Sequence, residues 1–164
     1  MTKHWRGRRG GVLLAALTLL CAGAALWILR EDDPPYTLRA TPSIAFELTV
    51  ASDAKAYPDA AEIKNDAELL TRVYLQRLRA GDRKGVVDLG APWYQERSVM
   101  ARQWLASYAP LTSSPVKGEL QDPLVPDLAS VILTFDDGTT QQLGMTRADG
   151  TWWLTLGDGD PMGP

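Results

Sequence analysis

Apolar and polar positions follow three successive patterns along the chain. The first is a block. Gly11 to Leu29 (GVLLAALTLLCAGAALWIL) runs nineteen residues without a charge. As a helix it rises about 28 Å, close to the roughly 30 Å hydrocarbon thickness of a bilayer, and a helix satisfies its own backbone hydrogen bonds in lipid. The second pattern recurs at spacings of three and four. From Asp59 to Ala80, Ile63, Ala67, Leu70, Tyr74 and Leu78 form one stripe, widened by Val73 and Leu75, which predicts a long amphipathic helix. After Pro110 the third pattern takes over, with short alternating runs broken at Asp-Gly pairs.

Local signals divide these patterns into elements. Asp59 or Asp66 supplies a start for the long helix, and Gly81 stops it. Asp82 caps a second, short helix through Val86, Val87 and Leu89, ended by Gly90 and Pro92. Gln95 to Tyr108 reads as a third helix, with Val99, Trp104 and Leu105 on or near one face. Val116–Leu120, Leu128–Phe135, Thr139–Arg147 and Thr151–Leu156 read as strands. The last three are joined by turns at Asp136-Asp137-Gly138 and Asp149-Gly150, the signature of an antiparallel meander. Upstream, Ser43 to Val50 alternates, with Ile44, Phe46, Leu48 and Val50 on one face of a strand. Its place relative to the meander stays open at this level. Helices followed by an antiparallel sheet is an α+β order.

The block near the N-terminus carries most of the architecture. Val12, Leu13, Leu14, Leu17, Leu19, Leu20, Leu26, Ile28 and Leu29 supply its favourable transfer into lipid. Arg6, Arg8 and Arg9 precede it and Glu31, Asp32 and Asp33 follow it, which orients the N-terminus toward the cytoplasm. The organisation expected is a basic cytoplasmic tail over residues 1–10, a single transmembrane helix over 11–30 and a Pro-rich linker over 31–42. An extracytoplasmic domain follows over 43–157, with a disordered tail over 158–164. The lipid bilayer is then the first partner, its anionic headgroups attracting the basic tail. Two rivals exist. A cleavable signal would use Ala22-Gly23-Ala24 as its processing site and release a domain beginning near Ala25. A lipoprotein would modify Cys21, but Leu20 is not the small residue which that processing needs.

Charge narrows the partners. Of the 17 basic residues, five lie in residues 1–30, which hold no acid, leaving 12 against all 20 acids and a net charge of −8 for residues 31–164. Such a domain repels polyphosphate, so nucleic acid is not an expected partner. Cys21 is the single cysteine and His4 the single histidine, both in the first thirty residues. No intrachain disulfide follows, and neither a zinc site nor a histidine-based nucleophile system is expected beyond the block. No metal or cofactor is expected. Asp136-Asp137-Gly138 reads as a turn, and Asp158 and Asp160 as part of a solvated tail.

The order of a long helix, two shorter helices and a meander resembles the nuclear-transport-factor-2-like superfamily. So do YLQRLRAGDRKGVVDLGAP (Tyr74–Pro92), where a helix ends at Ala-Gly-Asp, and the closing RADGTWWL (Arg147–Leu154). The resemblance covers most of residues 59–157. It implies a curved antiparallel sheet wrapped round the long helix into a cone with an apolar pocket, and often a homodimer through the outer sheet face. Members include ketosteroid isomerase and polyketide cyclases, and also many non-catalytic binding or assembly domains, some held in membranes. By the same resemblance, Tyr74, eight residues before Asp82, is similar in placement to the isomerase's oxyanion-hole tyrosine. The family's general base is an aspartate in an acidic stretch after the second helix. Here that stretch reads LGAPWYQERS, and Glu96, its nearest carboxylate, is out of pattern. A donor without a base makes no proton-transfer site.

The candidates for a pocket are Tyr74, Trp104, Trp152 and Trp153. Neighbours on a strand point to opposite faces, so Trp152 and Trp153 cannot both face the core, and one is a candidate contact surface unless Ser43–Val50 covers it. The function expected is a membrane-anchored, non-catalytic binding or assembly module. The alternatives are a small-ligand enzyme using the cone pocket, or a secreted free domain.

Overall fold

The computed structural model of the protein describes residues 44–51, 57–121 and 126–159. The apolar block Gly11–Leu29, the linker Glu31–Pro42 and residues 160–164 lie outside them. Among the described residues no helix is long and apolar enough to cross a membrane. The described chain is α+β, in the order β1 (Phe46–Val50), α1 (Ala60–Arg79), α2 (Arg83–Asp88), α3 (Arg97–Tyr108), a 3₁₀ turn (Ala109–Ser113), β2 (Val116–Leu120), β3 (Leu128–Thr134), β4 (Thr140–Ala148) and β5 (Thr151–Leu154).

The five strands form one sheet in sequential order, β1-β2-β3-β4-β5. The expected meander is its β3-β4-β5 half, and β2 extends it antiparallel. The sheet is mixed rather than wholly antiparallel, because β1 joins at the edge parallel to β2, with Phe46 opposite Val116 and Val50 opposite Leu120. The three helices intervene between these two strands, and a crossover of that kind permits parallel pairing. At the second Asp-Gly turn Asp149 and Gly150 both take positive φ, 50° and 75°. Two consecutive left-handed residues make a type I′ turn, whose twist matches that of the flanking strands.

One sheet face is apolar along every strand. Leu48, Val116, Leu120, Val131, Leu133, Leu143, Met145, Trp152 and Leu154 are buried, and they form one cluster with Ile63, Ala67, Leu70, Tyr74 and Leu78 of α1. Each large aliphatic side chain so removed from water contributes about 1.5–3 kcal/mol. The other face carries Glu47, Thr49, Lys117, Glu119, Thr134 and Gln142, all exposed.

The helix ends follow from local chemistry. At the C-terminus of α1, Gly81 takes φ +64°, its N–H donates to the Leu78 carbonyl, and the Asp82 N–H donates back to the Arg77 carbonyl. This doubly bonded stop satisfies two of the orphan carbonyls. The Asp82 carboxylate then starts α2, accepting from the Gly85 N–H at 2.9 Å. Asp59 stands before α1 but makes no side-chain cap bond there. Helix α3 begins at Arg97 rather than Gln95, since Gln95 bridges to Asp158 and Glu96 is left-handed at φ 60°. Ala101 is the residue of α3 that is fully buried. That register turns Val99 to solvent at 36% exposure and leaves Trp104 and Leu105 half-buried against the core. Asp158, assigned to the tail on sequence, accepts from the Gln95 N–H at 2.9 Å, so ordered pairing runs past Leu154.

Asp82 does two jobs, because its second carboxylate oxygen lies 3.6 Å from the Arg77 guanidinium, whose side chain is only 8% exposed. Asp82→Ala is expected to lower stability by about 2–4 kcal/mol, from the lost cap and a buried charge left without its carboxylate. Asp88→Ala, which breaks the exposed pair with Lys84, should cost no more than about 0.5 kcal/mol. Urea unfolding of the two variants checks the contrast.

Candidate functional site

The site proposed from sequence centres on Tyr74, and the structure puts that residue where helix α1 crosses strand β4. The two elements run antiparallel. Tyr74 meets Gln141 near the start of β4, and Glu62, in the first turn of α1, lies 3.8 Å from Arg147 near its end. Twelve helical residues at about 1.5 Å span roughly the same length as six strand residues at about 3.3 Å, so both contacts form at once.

Tyr74 is fully buried. Its hydroxyl donates to Gln141 Oε1 at 3.1 Å and accepts from Gln141 Nε2 at 2.7 Å. Trp104 packs edge-on against its ring, with centroids 5.5 Å apart and planes at 77°, an arrangement that sets the positive edge of one ring against the negative face of the other. Burial pushes the ionisation of the phenol far above its ordinary range, with Tyr108 adding to the effect and the Gln141 hydrogen bond opposing it. The hydroxyl is therefore neutral at any physiological pH. Its partner is a carboxamide, which neither gives up nor takes a proton there. Glu96, the nearest carboxylate on sequence, is exposed at the start of α3. Tyr74 is thus a core residue with its donor and acceptor capacity met inside the protein, and it makes no acid–base pair with Gln141.

The other candidates separate. Trp104 joins Tyr74. Trp152 is buried at 2% exposure on the same sheet face, opposite Arg147, whose guanidinium carbon lies 6.0 Å from the indole centroid. Its Nε1, like Thr71 Oγ1, is buried with no hydrogen-bond partner among the described residues. Trp153 sits on the opposite face, half-buried, across from Thr146. Residues 44–50 do not cover it, since β1 and β5 are opposite edges of the sheet. The four residues do not line one pocket.

Two shallow surface depressions lie elsewhere. One of about 240 Å³ is bounded by Asn65, Glu68, Leu69 and Arg72 on the exposed side of α1. The other, of about 130 Å³, lies beside Phe135, Asp136 and Asp137 at the β3–β4 turn. Among the described residues no group of three His, Cys, Asp or Glu side chains is placed to hold a metal ion.

Gln141 is the member of this site that sequence reasoning passed over. Its signal was present: it shares the strand parity of Leu143 and Met145, and a polar residue at an inward position calls for a buried partner. No family model matches the chain, and no curated protein matches it either.

Tyr74→Phe is expected to cost roughly 1–3 kcal/mol, because it strands a buried carboxamide, and adding Gln141→Leu should recover part of the loss. Denaturant unfolding of the single and double variants measures both. The raised pKa has a second consequence. Its contribution to stability is fully present below about pH 10, the value for an unfolded tyrosine, and is lost as pH climbs above it. In an alkaline absorbance titration, one of the five tyrosines should ionise only as the protein unfolds.

Proposed function

We propose that the protein is a membrane-anchored binding or assembly module whose folded domain lies outside the cytoplasm and performs no catalysis. The observation that carries the anchor is the charge-free run Gly11–Leu29, bounded by Arg6, Arg8 and Arg9 on one side and Glu31, Asp32 and Asp33 on the other. Its length matches the bilayer core, and its flanking charges set one orientation. The non-catalytic reading rests on Tyr74. In an isomerase-like site the tyrosine would offer its hydroxyl to a ligand, whereas here both of its hydrogen-bonding directions are taken by Gln141.

The resemblance to the nuclear-transport-factor-2-like superfamily belongs to the same proposal. It is supported by one long helix against the apolar face of the sheet, two shorter helices after it, and the Arg147–Leu154 hairpin at the end. In that setting the domain acts through its surface, contacting other envelope proteins or a second copy of itself.

The anchor is tested on the full chain with a C-terminal tag. It should sediment with membranes after alkaline carbonate extraction, keep its first two dozen residues, and lose the tag to protease added on the non-cytoplasmic side. A soluble product beginning near Ala25 would instead establish a secreted domain.

A further inference from the structure

The two edges of the sheet are treated differently. At β5, the Leu154 N–H donates to the Leu89 carbonyl at 2.8 Å, and the Ala91 N–H donates to the Leu154 carbonyl at 3.0 Å. The segment after α2 thus covers that edge at Leu154. At β1, the Val116 N–H donates to the Ala45 carbonyl and the Ala51 N–H donates to the Leu120 carbonyl. With the parallel register of Phe46 on Val116 and Val50 on Leu120, the backbone groups of Ala45, Glu47, Thr49 and Ala51 point at β2. Those of Phe46, Leu48 and Val50 point outward, and no other described strand receives them.

Proteins blunt such edges with charged side chains, lysine above all, with proline or with a bulge. Strand β1 reads FELTV and pairs with β2 residue for residue, so it has Glu47 as its one charge and no lysine, proline or bulge. Phe46 and Val50 face the core side and are only half-buried. Gly118, opposite Leu48, has no side chain, and the Phe46 ring occupies that space.

We propose that the free edge of β1 pairs antiparallel with β1 of a second copy, centred on Leu48, joining two five-stranded sheets into one. The strand is self-complementary in that register. Leu48 faces its own copy, and Phe46 faces Val50 of the other chain, an aromatic–β-branched pair that completes the burial of both. All three outward-pointing residues fall at hydrogen-bonded positions, giving six backbone bonds across a two-fold axis. Glu47 falls opposite Thr49 rather than opposite its own copy, so the one charge in the strand meets no like charge directly across.

The register makes a specific cross-linking test. Positions 47 and 49 of the two chains are a non-hydrogen-bonded pair with Cα atoms about 4.5 Å apart, within disulfide reach. Positions 47 and 47, or 49 and 49, are offset by two residues and lie about 8 Å apart, too far to bridge. Full-length chains carrying Cys21→Ser with either Glu47→Cys or Thr49→Cys are oxidised mildly, each alone and as a mixture with different tags. The mixture should give a disulfide-linked dimer bearing both tags, and each chain alone should not. Equal cross-linking in all samples, or none in the mixture, overturns the proposal. So does a Gln142→Cys chain that links to itself while the mixture stays silent, because that would put the contact on the outer sheet face.

A non-covalent readout guards against a folding defect in the cysteine variants. Thr49→Glu sets like charges opposite each other twice and should raise the dimer dissociation constant in sedimentation roughly 2- to 30-fold, and adding Glu47→Lys should restore it. An unaltered full-length chain that stays monomeric at every concentration examined leaves the edge to some other strand and overturns self-pairing.

Discussion

A phenol and a carboxamide sealed in an apolar interior must find each other, and the meeting of Tyr74 with Gln141 fixes how α1 lies on the sheet. The aliphatic contacts beneath the helix select an alignment through volume alone, since Ile63, Ala67, Leu70, Val73, Leu75 and Leu78 differ in size but not in chemistry. A slip of one helical turn, about 5.4 Å, exchanges Leu75 with Leu78 but brings Tyr74 or Ala67 to the place of Leu70, so packing alone already disfavours it. The same slip would strand the Tyr74 hydroxyl and both ends of the Gln141 side chain without water, at a cost of about 1–3 kcal/mol for each unsatisfied group. Trp104 of α3 stands edge-on to the same ring, so one hydrogen-bonded pair ties together a helix, a strand and a second helix. Buried polar groups contribute specificity of arrangement in this way, beyond their net stabilising energy.

Much of this frame was legible in the residues, and the failures have physical causes. The period of the Ile63–Leu78 stripe, the Gly81 stop, the Asp82 cap and the two Asp-Gly turns each encode their element locally, so α1, α2 and the β3-β4-β5 hairpins could be read directly. Strand β1 was visible as alternation, but its partner was not, because parallel pairing over a three-helix crossover leaves no mark at either strand. The face of α3 was misjudged at Val99. A short helix with few apolar residues shows little preference of its own, and the fully buried Ala101 sets its rotation instead. Gln141 carries a side chain common on exposed strand faces, and only its strand parity with Leu143 and Met145 marks it as inward. Whether Tyr74 offered its hydroxyl to a ligand or to the protein could be settled only by locating that partner, sixty-seven residues away in the chain.

The inward faces of β3, β4 and β5 are filled by Val131, Leu133, Leu143, Met145, Trp152 and Leu154, so the binding role proposed above would fall to the perimeter and the outer face. The outer face offers exposed Glu47, Lys117, Glu119 and Gln142 beside half-buried Ile132 and Trp153. The β5 edge is covered by the chain's own backbone at Leu154. The longer run of outward backbone groups among the described residues is that of Phe46, Leu48 and Val50.

Charge bears on which partner suits that edge. Residues 31–164 carry a net charge of −8, and two copies approaching one another repel at long range. Screening at physiological salt confines that repulsion to about 8 Å, so an association of like domains must be carried by short-range contacts that do not depend on complementary charge. Backbone hydrogen bonds and apolar burial are of that kind, and ion pairs across a two-fold axis of acidic domains are not. The offset of Glu47 against Thr49 removes the one like-charge contact that such a pairing would otherwise place directly across its centre. On the proposed pairing, an acidic domain would keep polyanions away by its overall field while meeting its own copy through backbone hydrogen bonds and apolar side chains.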